Sequence, residues 1–105
     1  MTAYNNGKYH KSGAGYGFRI NNSDVRRYFQ IPYSNISLHL ENSKKEILVN
    51  LNSSSISYGE RIIITNKEIG KWLIKNKMAI WSEGTPPKFK MIHLNENKFV
   101  IRKID

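Results

Sequence analysis

The sequence predicts a mainly β domain, seven strands curled into a small open barrel with two short helices set between them. Three observations predict it. Apolar and polar residues alternate through residues 36–40, Ile47, Val49 and Leu51 repeat the period of two, and other short runs are β-branched or aromatic. Segments 17–32 and 50–73 each join a short strand to a short helix, with polar, small or basic residues at the junctions. The chain has no cysteine, so no disulfide framework or thiolate metal site supports the fold, and it must stand on packing.

Residues 1–15 carry three glycines and few aliphatic side chains, and read as an N-terminal arm ahead of a domain spanning 16–105. The run Tyr16–Ile20 is the first expected strand. Asn22 or Ser23 caps the helix that follows, its side-chain oxygen accepting from a first-turn amide, while Asp24 adds negative charge at the positive end of the helix dipole. Val25, Tyr28 and Phe29 form the buried stripe of this helix, and Ile31-Pro32 ends it. Ile36, Leu38 and Leu40 alternate with Ser37, His39 and Glu41, and Ile47, Val49 and Leu51 alternate again, so a hairpin turning at residues 42–44 is expected.

Residues 52–57 are polar and serine-rich. Residues 61–64 suit a strand buried on both faces, and Thr65 with Glu68 fits a capping box ahead of a helix whose apolar face is Ile69, Trp72 and Leu73. Gly70 weakens that helix but allows close packing. Residues 78–81 are expected as a strand and 83–87 as a loop. Residues 89–94 and 99–104 then form a last hairpin about Asn95, Glu96 and Asn97.

A chain of 105 residues makes one domain, which buries roughly 65% of the surface its unfolded chain exposes. Seventeen Lys and Arg against eight Asp and Glu give a formal charge of +9, the footprint of a phosphate-backbone binder. Residues 1–27 carry Lys8, Lys11, Arg19, Arg26 and Arg27 against Asp24 alone. No apolar run approaches the ~18–20 residues of a membrane span, and the N-terminus has no apolar stretch of the signal-peptide kind. A cytoplasmic protein is expected.

The glycines at 13, 15 and 17 are spaced like a phosphate loop, but a strand follows them where a helix is required. They read instead as an entry that lets backbone approach a ligand. His10, His39 and His93 lack metal-ligand spacing, and the carboxylates are scattered, so no metal, cofactor or catalytic site is expected and the chain does not read as an enzyme.

The junctions are the better lead. Arg19, Asn21, Asn22, Ser23, Arg26 and Arg27 cluster where the first strand meets the first helix. Arginine pairs with guanine edges, asparagine with adenine, and serine or backbone amides with phosphate. The second junction, with Asn50, Asn52, Ser53, Ser54, Ser55 and Tyr58, supplies small amide and hydroxyl groups suited to a strand-loop-strand arm in a groove.

These two junctions carry a resemblance. FRINNSDVRRYFQIP resembles the opening of B3-type DNA-binding domains, and VNLNSSSISYGERIIITNKEIGKWLIKNKM resembles the second signature of that family. The matched parts span residues 17–81, closest in character to restriction-enzyme target-recognition domains. The tryptophan-rich strand that the plant members carry before the second arm is replaced here by Ile47-Leu48-Val49. The resemblance implies a seven-stranded open pseudobarrel that grips the major groove of double-stranded DNA with two arms, residues 19–23 and 50–58, as the recognition part of a restriction or regulatory system. A separate nuclease chain or domain would then do any cutting.

The expectation is sequence-specific duplex DNA binding. Lys8, Lys11, Arg26 and Arg27 would meet phosphates, and Arg19, Asn21, Asn50, Asn52 and Ser53 to Ser55 would meet base edges. Competing readings are an RNA-binding barrel stacking bases on Tyr4, Tyr9 and Tyr16, a protein-interaction module of inhibitor type with a basic face, and a small nuclease.

Overall fold

Phe18, Ile20, Ile36, Leu38, Leu40, Ile64, Phe99 and Ile101 are side chains that alternation turns inward, and none is more than 1% exposed. The computed structural model that holds them describes residues 1–7, 11–28, 35–50, 56–57 and 61–104. The fold is mainly β with two helices. In chain order it runs β1 (Thr2–Asn5), β2 (Tyr16–Ile20), α1 (Asn22–Tyr28), β3 (Asn35–Leu40), β4 (Glu46–Asn50), β5 (Ile56–Ser57), β6 (Arg61–Thr65), α2 (Lys67–Lys75), β7 (Phe89–Asn95) and β8 (Lys98–Lys103).

The strands form two four-stranded sheets, ordered β1-β2-β6-β5 and β4-β3-β8-β7. Pairing is antiparallel except between β3 and β8, which run parallel with Leu38 beside Phe99. The free edge of β1 is stitched to the start of β7: the Ala3 amide donates to the Pro87 carbonyl at 2.9 Å and the Phe89 amide to the Met1 carbonyl at 2.7 Å. Among the described residues the two sheets do not close into a full barrel.

Both sheets and α2 meet in one core. Phe18 of β2, Phe89 of β7 and Trp72 of α2 pack ring against ring at centroid distances of 5.2, 5.4 and 6.3 Å. Trp72 satisfies its indole N–H by donating to the Glu41 carbonyl at 2.9 Å, which ties α2 to the end of β3.

Six of the seven expected strands form where the pattern puts them, and several expectations need correction. Residues 2–5 are a strand paired with β2, and Met1 and Ala3 belong to the core, so the domain begins ahead of Tyr16. Alternation over four residues, two of them Thr and Asn, is too short to announce that strand. Residues 78–81 are not a strand but the exit from α2. Asn76 caps the helix, Lys77 takes φ 59°, and the amides of Lys77 and Met78 reach back to Ile74 and Leu73 at 3.0 and 2.8 Å, a Schellman motif. Ile56 and Ser57 form a two-residue strand inside the stretch expected as loop.

Both caps differ from the expected residues, which were Asn22 or Ser23 for α1 and Thr65 for α2. Asn21 caps α1, its Oδ1 accepting from the Asp24 amide at 2.9 Å, and Asn66 caps α2 by accepting from the Glu68 amide at 2.7 Å. Thr65 cannot serve because it is still held in β6 opposite Gly17. Ser37, expected on the polar side of β3, is buried between two neighbouring strands and hydrogen-bonds Glu46. Ile63 is only half-buried, because one face of β6 looks outward.

Gly13 packs inside the protein. It lies against α2, where a Cβ would stand 2.5 Å from the Lys67 carbonyl oxygen, and a Cβ on Gly70 would strike the Gly13 carbonyl in turn. The close packing expected of Gly70 is therefore against the 11–15 turn.

Candidate nucleic-acid interface

Arg19 stands between two fully buried neighbours on β2, Phe18 and Ile20, so strand geometry turns it to the outer face of its sheet. Its cross-strand neighbours are Thr2 and Ile63. The guanidinium lies 6.0 Å from the centre of the Tyr4 ring, which gives the cation a flat bed and limits its rotamers. No described carboxylate pairs with it.

One residue beyond Ile20 the chain turns into α1. Asn21 Oδ1 accepts from both the Asp24 amide and the Ser23 hydroxyl, each at 2.9 Å. That engagement matters chemically: bidentate reading of adenine needs an asparagine oxygen as well as its amide nitrogen. With the oxygen held in the cap, Asn21 has its N–H donors left to offer, which suits phosphate better than a base edge. Asp24 is drawn to the other side, its Oδ2 lying 3.5 Å from the Met1 ammonium. The one acidic side chain of α1 is thereby paired away from the junction, and Arg19 and the exposed Arg27 set the local sign. Asn22 and Arg26 lie on the same helix.

The sheet register places the β2–α1 junction and the facing ends of β5 and β6 at one end of their sheet. Ile62 of β6 pairs with Ile20 on one side and Ile56 on the other, and Ser57 pairs with Arg61 beyond them. The β2–α1 junction and the β5–β6 connection therefore leave the sheet at the same end. In the second sheet, Asn50 ends β4 opposite Asn35, and Asn35 accepts from the Asn97 side chain at 2.9 Å. Asn35, Asn50 and Asn97 make that end of the sheet amide-rich.

Lys11 does not join this group. It sits in the β1–β2 connection, at the opposite end of β2 from Asn21. Lys8, Asn52, Ser53, Ser54, Ser55 and Tyr58 lie outside the described residues. Sequence reasoning gave Tyr4 only to the RNA-binding reading and passed over Asn35 and Asn97, because only register makes these three neighbours of the junction residues; no spacing along the chain signals it.

His93 of β7 bonds the Glu96 carbonyl at 2.7 Å and packs on Phe99, and His39 is exposed on β3. Among the described residues no three His, Cys, Asp or Glu side chains stand close enough to hold a metal ion. Among the described residues no helix is long and apolar enough to cross a membrane. No family model, curated protein or solved structure matches the chain.

Proposed function

We propose that the chain recognises a short sequence in duplex DNA, as an open pseudobarrel of the B3 type whose two arms enter the major groove. The single observation that carries the reading is the shared row of Ile20, Ile62 and Ile56, which sends the β2–α1 junction and the β5–β6 connection out of one end of one sheet. The seam between β1 and β7 supports the barrel, since it joins the two sheets along one side and leaves β4 and β5 as the outer strands.

In this reading Arg19, bedded on Tyr4, is the base-reading residue of the first arm, matching guanine through its two parallel N–H donors. Asn21, Asn22, Ser23, Arg26 and Arg27 hold the adjacent phosphates. Asn50, Asn52, Ser53 to Ser55 and Tyr58 form the second arm. Phosphate contacts fix register and supply most of the affinity, and the few base contacts select the site. The biological setting is the recognition part of a restriction or regulatory system, with any cleavage left to a partner.

The test is selection from a random duplex pool at about 0.15 M salt, with single-stranded DNA and RNA as competitors. Enrichment of one short duplex motif is the expected result. Arg19→Ala should then relax a single position of that motif by ~1–3 kcal/mol. Arg27→Ala should weaken all sequences alike and lower the salt slope by about one unit. A pool that returns no motif, or a preference for single strands, would overturn the reading.

A further inference from the structure

At the other end of both sheets lies a groove that the arms do not use. The β6 strand enters α2 after Thr65, which pairs with Gly17, whereas the junction lies beyond Ile20. The β3–β4 hairpin turns at residues 41–45, whereas Asn35 and Asn50 close its opposite end. Between that turn and α2 opens a groove of about 460 Å³.

Its walls are cationic. Lys44 and Lys45 come from the turn, and Lys71 and Lys75 from successive turns of α2 on one helix face. The two acids in the groove are already engaged: Glu68 with Lys71 at 3.3 Å and Lys45 at 3.9 Å, and Glu41 with Lys103 at 4.0 Å. Lys44 and Lys75 are exposed and make no ion pair among the described residues. Lys67 lies one turn earlier on α2, and the Gly13–Gly70 contact brings the turn bearing Lys11 onto the same helix.

We propose that this groove is a second, sequence-independent contact for a nucleic-acid phosphate backbone, at the end of the molecule away from the arms. The chemistry favours phosphodiester over an acidic protein. Protein hot spots are buried aromatic or arginine anchors in desolvated pockets. Here the one aromatic, Trp72, is 6% exposed and its N–H is already bonded, while the remaining lining is lysine, glutamate, asparagine and serine. Lysine ammoniums are point charges without a preferred plane, which suits a repeating charge read without regard to sequence. Because the groove and the arms face opposite ends, a molecule engaged at both would hold two segments of nucleic acid. The proposal does not depend on the arms reading a motif.

Titrating a short duplex of arbitrary sequence into the full chain, from about 50 to 200 mM salt, tests it. The double variant Lys44→Glu/Lys75→Glu should bind at least tenfold more weakly and lose about two units of salt slope, two phosphate contacts at roughly 0.9 each. The charge-matched control is Lys90→Glu/Arg102→Glu, a cross-strand pair on the outer face of β7 and β8. Equal losses in the two variants would overturn the proposal. So would sensitivity of polyglutamate binding, without any of duplex binding, to Lys44→Glu/Lys75→Glu. Motif selection by the arms is read separately through Arg19→Ala, so either site can fail while the other stands. Unchanged melting temperatures show that both doubles are folded.

Discussion

Asn21 and Asn66 each close the first turn of a helix with a side-chain oxygen, and each lies beside the residues that the sequence pattern favours. The reason is the preceding strand: pairing extends through Ile20 in β2 and Thr65 in β6, and Asn66 caps α2 with its side chain while its amide still donates to the Tyr16 carbonyl. Asn66→Ala should therefore cost about 1 kcal/mol of stability in urea unfolding, and Thr65→Ala distinctly less through the cap. Asn21→Ala should cost a similar ~1 kcal/mol, while Asn21→Asp keeps the cap and puts negative charge beside a phosphate. Asn21→Asp thus separates folding from binding: stable, but weak on every duplex. Residue chemistry of this kind was legible in the sequence, since asparagine, serine and arginine announce caps and polar contacts. Their division of labour was not, because one oxygen serves either the cap or a base.

Among the elements, period-two alternation disclosed β3 and β4 because alternate side chains of each turn into the core, and short apolar and aromatic runs about a turn disclosed β7 and β8. The strand β5 was hidden by its two-residue length. Residues 78–81 misled because an apolar run without alternation fits a strand or a packed coil equally well. Here it packs beside Tyr16, whose hydroxyl donates to the Ala79 carbonyl at 2.8 Å. The helix exit was concealed by Lys77, a lysine where glycine is the usual occupant. Lys77→Gly should consequently stabilise the protein by about 1 kcal/mol, read as a higher urea midpoint with unchanged slope, by relieving a left-handed backbone. Gly70→Ala is expected to act in the opposite sense despite alanine's better helix propensity, since its methyl would meet the Gly13 carbonyl; overpacking of this kind costs ~1–3 kcal/mol.

On the scale of the whole molecule, the rings of Phe18, Trp72 and Phe89 bind two sheets and a helix into one cooperative unit. Phe89→Ala should cost ~3–5 kcal/mol, a large share of the stability of a domain this size, and should still unfold in a single transition by fluorescence and circular dichroism. Two separated transitions would show that the sheets are independent. The sequence indicated that such a core exists but not which ends of the sheets coincide. Lys11 is the instructive residue, read with Arg19 from proximity along the chain yet carried by the β1–β2 connection to the other end.

The seam between β1 and β7 also sets the order of assembly. The Met1 ammonium donates to the Phe89 carbonyl across 88 positions of chain, and its flanking bonds join Met1 and Ala3 to Phe89 and Pro87. Closing a contact that remote incurs nearly the full loop entropy of the chain before any reward arrives, the condition under which β-rich domains fold in milliseconds to seconds. On the ribosome β1 is made well before the strand that covers its outer edge. Until β7 emerges, the outer edge of β1 is an open template for any other extended chain, and protection of that edge rests on how quickly β7 follows.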